Sequence, residues 1–323
     1  DIRNGLLYTP YFPLKTSISD VRFNADNNRV ALDNITVNSG GSDISARGEV
    51  TNIRPAMMGR APLKLNLKVT SEKIDANELL TAYSAGMNYR PETAAAGDAS
   101  TENISEFIAQ AETTVSEVAD TALSLIVIPA NIEANISLEA NDIDYSDLCI
   151  DWMASDIVMR NRCLQVTNTV ATSNMGDIYF EGFYSTRSKD DIKTGFDLNL
   201  ADITADKVVQ LFPVVDTIMP MLTSFKGHLD CEMAATTDLD TNMVILTPTM
   251  NGVIKIKGRD VSVEDSPEFR KLARTLMFKD KKIGKVADMS VSGIVSDNRL
   301  EIFPFVLKVD RYTMAMSGLQ DFD

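Results

Sequence analysis

"RVALDNITVNSGGSDISARG", from Arg29 to Gly48, decides how this chain is read, because it returns twice. It recurs as "RCLQVTNTVATSNMGDIYFEG", Arg162 to Gly182, and as "RLEIFPFVLKVDRYTMAMSG", Arg299 to Gly318. An Asn precedes the Arg each time, at Asn28, Asn161 and Asn298, and the Gly follows nineteen or twenty positions later. The copies start about 135 residues apart, well beyond the roughly 20 to 50 residues of solenoid repeats. Val30 and Leu32 share one phase, and Ile35 and Val37 take it up after a step at Asp33 and Asn34. Leu300 and Ile302, then Phe305, Leu307 and Val309, make the same step. A shift of alternation at one place is the signature of a β-bulge, and bulges bend strands. The expectation is a curved antiparallel sheet built from a repeated β unit.

Each copy closes on an apolar alternation ending in the Gly: Ile44, Ala46, Gly48; Ile178, Phe180, Gly182; Met314, Met316, Gly318. Another alternating strand follows two of them, with Leu63, Leu65, Leu67 and Val69 after the first and Phe196, Leu198 and Leu200 after the second. Upstream, Thr16 to Ala25 reads as a strand and Asp26 to Asn28 as a turn into the first copy. Short helices are expected after the strands. Asp75 stands as N-cap with Glu78 in capping-box position, Thr204 precedes an apolar run stopped by Pro213, and Ser266 caps a helix with Pro267 at its first position. Each has one apolar face, so they are expected to pack on the concave side of the sheet.

The chain of 323 residues thus divides into a first β unit at 1–83, a segment at 84–122, a second β unit at 123–220 and a third at 221–323. Ser84 to Asn103 is rich in Ala, Gly, Ser and Thr and reads as a flexible insertion; Ile104 to Val118 reads as an amphipathic helix with an acidic outer face. From Leu123 onward the sequence returns to β strands. The chain opens on Asp1 and not on Met, and it is read as a fragment excised from a longer protein.

Composition excludes several classes of function. The net charge is −15 and no basic cluster punctuates the sequence, which speaks against nucleic acid as a partner. Cys149, Cys163 and Cys231 stand far apart with only His228 to join them, so neither a zinc site nor a disulfide framework is expected. A single bridge in an oxidising compartment and three small buried side chains both fit the sequence. His228 and Cys231 lie on opposite faces of a strand, which is wrong for a nucleophile and its base. "DLDTN", Asp238 to Asn242, has Met243 where a calcium loop needs Gly, and "DIDYSD", Asp142 to Asp147, fails likewise. Asp190 and Asp191 read as turn residues. No catalytic residue, cofactor or metal is expected, and a hydrolase ranks last among the readings.

The run "VIPANIEANISLEANDIDY", the segment "IDWMASDIVMRNRCLQVTNTVATSNMGDIYFEGFYST" and the stretch "GHLDCEMAATTDLDTNMVILTPTMNGVIKIKGRDVSVEDSPEFRKLARTL" resemble the carboxy-terminal region of AsmA-like proteins. The resemblance covers nearly the whole chain, with the insertion from Ser84 to about Ala122 as its weakest part, and it rests on structural glycines and apolar alternation. It implies a periplasmic, non-catalytic module of a protein anchored in the inner membrane by an upstream helix. It also implies work in outer-membrane assembly and phospholipid movement, with envelope assembly proteins and phospholipid or another acyl lipid as partners. The apolar groove lining carries over to Leu65, Leu67, Ile178, Phe180, Leu198, Leu200, Met314 and Met316. The competing reading is a structural or adhesive β-scaffold that binds envelope protein or glycan.

Overall fold

The computed structural model describes residues 5–88, 125–188, 191–204, 207, 225–263, 284–287, 289–309 and 312–322. They are mostly β, in one mixed sheet. The chain forms two compact units. Unit 1 is Asp1–Thr167 with Ser185–Ile192 and Leu239–Val244; unit 2 is Asn168–Tyr184 with Lys193–Asp238 and Ile245–Asp323.

Unit 1 runs β1 (Gly5–Thr9), β2 (Phe12–Ala25), β3 (Arg29–Ser39), β4 (Ser42–Thr51), α1 (Ile53–Met57), β5 (Leu63–Ser71), β6 (Ile74–Asp75), α2 (Ala76–Asn88), β7 (Ile132–Tyr145) and β8 (Leu148–Arg160). Neighbours from β1 to β5 pair antiparallel, as do β7 and β8. The expectation of a purely antiparallel sheet is corrected at one place: β5 and β7 run parallel from Leu63 opposite Ile132 to Ser71 opposite Ala140, and β6 continues the parallel ladder. A parallel pair needs a long crossover to bring the chain back to the same end, and the stretch from α2 to Asn131 supplies its length. Residues 125–129 are not a strand, contrary to the return to β expected from Leu123; there the Ile128 N–H donates to Thr186 Oγ1 at 2.8 Å.

The first quoted segment is the hairpin β3–β4, and its bulge falls where the alternation shifts. Leu32 faces Gly48 and Ile35 faces Ala46, so Asp33 and Asn34 oppose Arg47 alone. The third is the hairpin of β16 (Arg299–Val309) and β17 (Tyr312–Asp321). Ile302 faces Gly318 and Phe305 faces Met316, which is the same two-against-one step. Both Arg side chains reach an acid on the neighbouring strand, Arg29 Nε to Glu49 at 2.8 Å and Arg299 Nε to Asp321 at 2.6 Å. The middle segment forms β9 (Cys163–Ser173) and β10 (Gly176–Ser188), which also pair. Here Asn161 (φ +53°) and Arg162 (φ +61°) are the two residues of the turn, whereas in the third copy Asp297 and Asn298 are. Two successive left-handed residues match the twist of a hairpin. Because Arg162 sits in the turn and not on the strand, its distance to the Gly is one residue longer.

Local signals at the helices hold in part. The Asp75 carboxylate accepts the Glu78 N–H at 2.9 Å, so Asp75 does cap α2. The capping box does not close. Glu78 reaches instead to the Gly41 N–H at 2.7 Å, and the Asp75 N–H goes to Ser42 Oγ at 2.9 Å. Asp26 accepts the N–H groups of Asn28 and Arg29, which lowers its pKa and fixes the β2–β3 turn. The helices expected after Thr204 and Ser266, and the one from Ile104 to Val118, lie outside the described residues.

Unit 2 adds β11 (Asp191–Thr204), β12 (Phe225–Asp238), β13 (Asn251–Val263), β14 (Gly284–Ala287) and β15 (Met289–Ser296), ending in β16 and β17. β11 through β13 are an antiparallel meander, and β13 pairs with both β14 and β15.

Candidate functional site

Period-two alternation gives unit 1 two unlike faces. On one, Leu32, Gly48, Leu67, Ile136 and Ile157 form a row across five strands, and Val30, Val50, Leu65, Ala134 and Met159 form the next. The other face carries Lys64 beside Glu133 at 3.6 Å, Asn66 hydrogen-bonded to Asn135 at 2.9 Å and Lys68 beside Glu139 at 3.5 Å. Such exposed pairs add little stability but keep this face in water. Burial differs along the apolar face. At the end where α2 packs on β2 and β7, Leu14, Thr16, Ser39, Ser42 and Ala140 are buried. Farther along, Val50, Leu65, Leu67, Val69, Ile136 and Leu138 are only half-buried, while Ala134 between them is buried. Open apolar side chains in rows are a surface that an acyl chain can cover.

Unit 2 has an apolar face of its own. Leu198 faces Met233, Met233 faces Ile254, Ile254 faces Gly293, Gly293 faces Ile302, and Ile302 faces Gly318. Gly182 extends the row: a Cβ there would lie 3.3 Å from the Gly195 carbonyl oxygen, the position found opposite Gly252 and Gly293, which puts Phe196 across from Gly182 and Leu198 across from Phe180. Much of this face is closed. Leu200 is 2 % exposed, and Ile203, Leu229, Cys231, Ile256, Val291 and Leu307 are as deeply buried.

The eight expected lining residues therefore divide. Leu65 and Leu67 stand together on the open face of unit 1. Leu200 belongs to the closed core of unit 2, while Ile178, Phe180, Leu198, Met314 and Met316 are half-buried there. Ile136, Ile157, Met233 and Ile254 share these rows without having been singled out; their alternation was the available signal.

On the polar face of unit 2 a depression of about 390 Å³ is lined by Asp197, Glu232, Val253, Lys255, Ile294 and Phe303 among others. Its charges already answer one another, since Glu232 takes Lys255 at 3.1 Å and Lys257 at 3.4 Å, and this pairing lowers the Glu232 pKa. His228 is exposed, with Nδ1 3.0 Å from Asp202, while Cys231 is buried on the other face as the spacing predicts. Asp240 accepts the N–H groups of Asn242 and Val244, so "DLDTN" is a self-satisfied turn. No cluster of three metal-ligating side chains occurs among the described residues. No helix among them is long and apolar enough to cross a membrane.

The three cysteines are reduced thiols in unlike surroundings. Burial pushes the Cys231 thiol up to about 12, and a hydrogen bond to Asp144 raises that of exposed Cys149. Iodoacetamide at pH 8 should label Cys149 first, more slowly than a free cysteine, and Cys231 only on unfolding. Mass spectrometry of the native protein showing Cys231 alkylated as fast as Cys149 would contradict this. The fold holds the neutral Cys231 thiol, so its contribution to stability is lost as pH rises from about 9 toward 12. Comparison with family models, curated proteins and solved structures found no match for this chain.

Proposed function

We propose that this chain is a non-catalytic, lipid-handling module of a periplasmic protein of the AsmA-like kind, anchored in the inner membrane and working in outer-membrane assembly and phospholipid movement. In this reading a β unit of about 135 residues is repeated to build a curved sheet, with helices on its concave side. The shared bulge of the β3–β4 and β16–β17 hairpins supports the repetition. The observation that carries the function is the open apolar face of unit 1, five strands wide, backed by a face of ion pairs and amides.

The test is the lipid content of the purified chain. Native mass spectrometry and solvent extraction should recover phospholipid. The double variant Leu67→Glu, Ile136→Glu places two carboxylates on the open rows, where they keep access to water when no lipid is bound, and lipid recovery should fall at least about tenfold. Lipid-free wild-type protein, or a variant that retains as much lipid, would sink the proposal. The closed face around Leu200, Leu229 and Ile256 favours the second reading, a β-scaffold for envelope protein or glycan. That reading takes over if no lipid is recovered.

A further inference from the structure

Among the described residues, one end of unit 1 gathers more arginine than acid, with Asp26, Asp191 and Asp240 as the carboxylates of its turns. Across the ladder Arg29 faces Thr51, Thr51 faces Lys64, Lys64 faces Glu133, and Ala134 faces Met159. The loop from Ile53 to Arg60 and the turn from Arg160 to Arg162 therefore project from the same end of the sheet. This end presents Arg54, Arg60, Arg160 and Arg162, all exposed, and none forms an ion pair among the described residues. Arg29 and Lys64, one step inside, are already matched by Glu49 and Glu133. Between Arg54 and Arg60 stand Met57, 84 % exposed, and Met58, 51 % exposed. Asp142, Asp144 and Asp147 lie at the opposite end of the strands, where Lys73 pairs with Asp142 at 3.4 Å.

We propose that this arginine-and-methionine end of unit 1 docks on the surface of an anionic bilayer. Guanidiniums meet lipid phosphates as bidentate donors, and flexible thioethers enter the boundary between headgroup and acyl chain. An acidic protein would answer the cations and leave two adjacent methionines in water; a bilayer answers both. The overall charge of −15 does not forbid this. β7 has 14 residues, so the acidic end stands roughly 45 Å away, at about 3.3 Å per residue. That is several times the screening length of about 8 Å at physiological salt. No residue of this end lines the apolar rows, so docking and lipid carriage fail separately.

The experiment is co-sedimentation of the whole chain with vesicles of phosphatidylcholine alone or mixed equally with phosphatidylglycerol, with circular dichroism as the control for folding. Binding is expected to the mixed vesicles only and to weaken as salt is raised. Arg54→Gln with Arg60→Gln should lose about fivefold in affinity per guanidinium removed, and Arg160→Gln with Arg162→Gln likewise. Met57→Ser with Met58→Ser should lose about tenfold, because the methionines are buried only in the bound state. Absence of binding, equal binding to neutral vesicles, or full binding by the arginine variants would overturn the proposal. Binding that responds to the arginines and ignores the methionines would also overturn it, because it would be charge attraction without the thioethers entering the bilayer.

Discussion

Gly48→Val is expected to unfold unit 1, costing about 4 kcal/mol or more, which places it among the severe single substitutions. Gly48 lies in the middle of β4 at φ +146°, between Leu32 on β3 and Leu67 on β5. A Cβ there would lie 2.0 Å from the Asn66 carbonyl oxygen and 3.0 Å from Leu67 Cα. Both are backbone atoms of a paired strand, and no rotamer relieves a clash at Cβ. β4 and β5 must separate, and their ladder from Ser45 to Thr51 is lost with them. Total stability of a domain is about 5 to 15 kcal/mol, so the loss should show as insoluble expression or a large drop in urea midpoint. Gly59→Ala is the control. It too has a left-handed backbone, φ +65°, but no atom lies within 4 Å of the added Cβ, so the cost should be about 1 kcal/mol. A Gly48→Val protein that unfolds at the wild-type midpoint would refute the close approach.

Leu229→Ala should cost about 3 kcal/mol, and Leu198→Ala less than about 1 kcal/mol, although both are leucines on the apolar face of unit 2. Leu229 is fully buried, with Ile203 and Gly258 as its ladder neighbours, so truncation leaves a cavity that rigid strands close poorly. Leu198 is half-buried and its removal exposes little new surface. Urea titration of both variants measures the difference. Equal losses would mean that the face is uniformly filled, and the distinction between closed core and open lining would fall.

The three glycines of the quoted segments show how far local reading reaches. They are equivalent in sequence, yet a Cβ at Gly48 meets backbone, at Gly182 it meets the Phe180 ring at 2.8 Å, and at Gly318 nothing lies closer than 3.7 Å. The arginines behave alike. Arg54, Arg60, Arg160 and Arg162 form no run in the sequence, where the absence of a basic cluster spoke only against nucleic acid as a partner. They meet because β5 and β7 pair in parallel, which brings two loops about a hundred residues apart to one end of the sheet.

What the sequence by itself determined are features settled within about twenty residues: the hairpins, the bulges at Asp33 and Phe303, the turn at Asp26 and the cap at Asp75. Each depends on dihedral preference, alternation or a short side-chain bond, which neighbouring residues specify alone. Only the tertiary structure decided the parallel ladder, which apolar rows are closed and which stay open, and the gathering of charge at one end. Those depend on which strand lies beside which, and period-two alternation reads the same whether or not anything covers the apolar face.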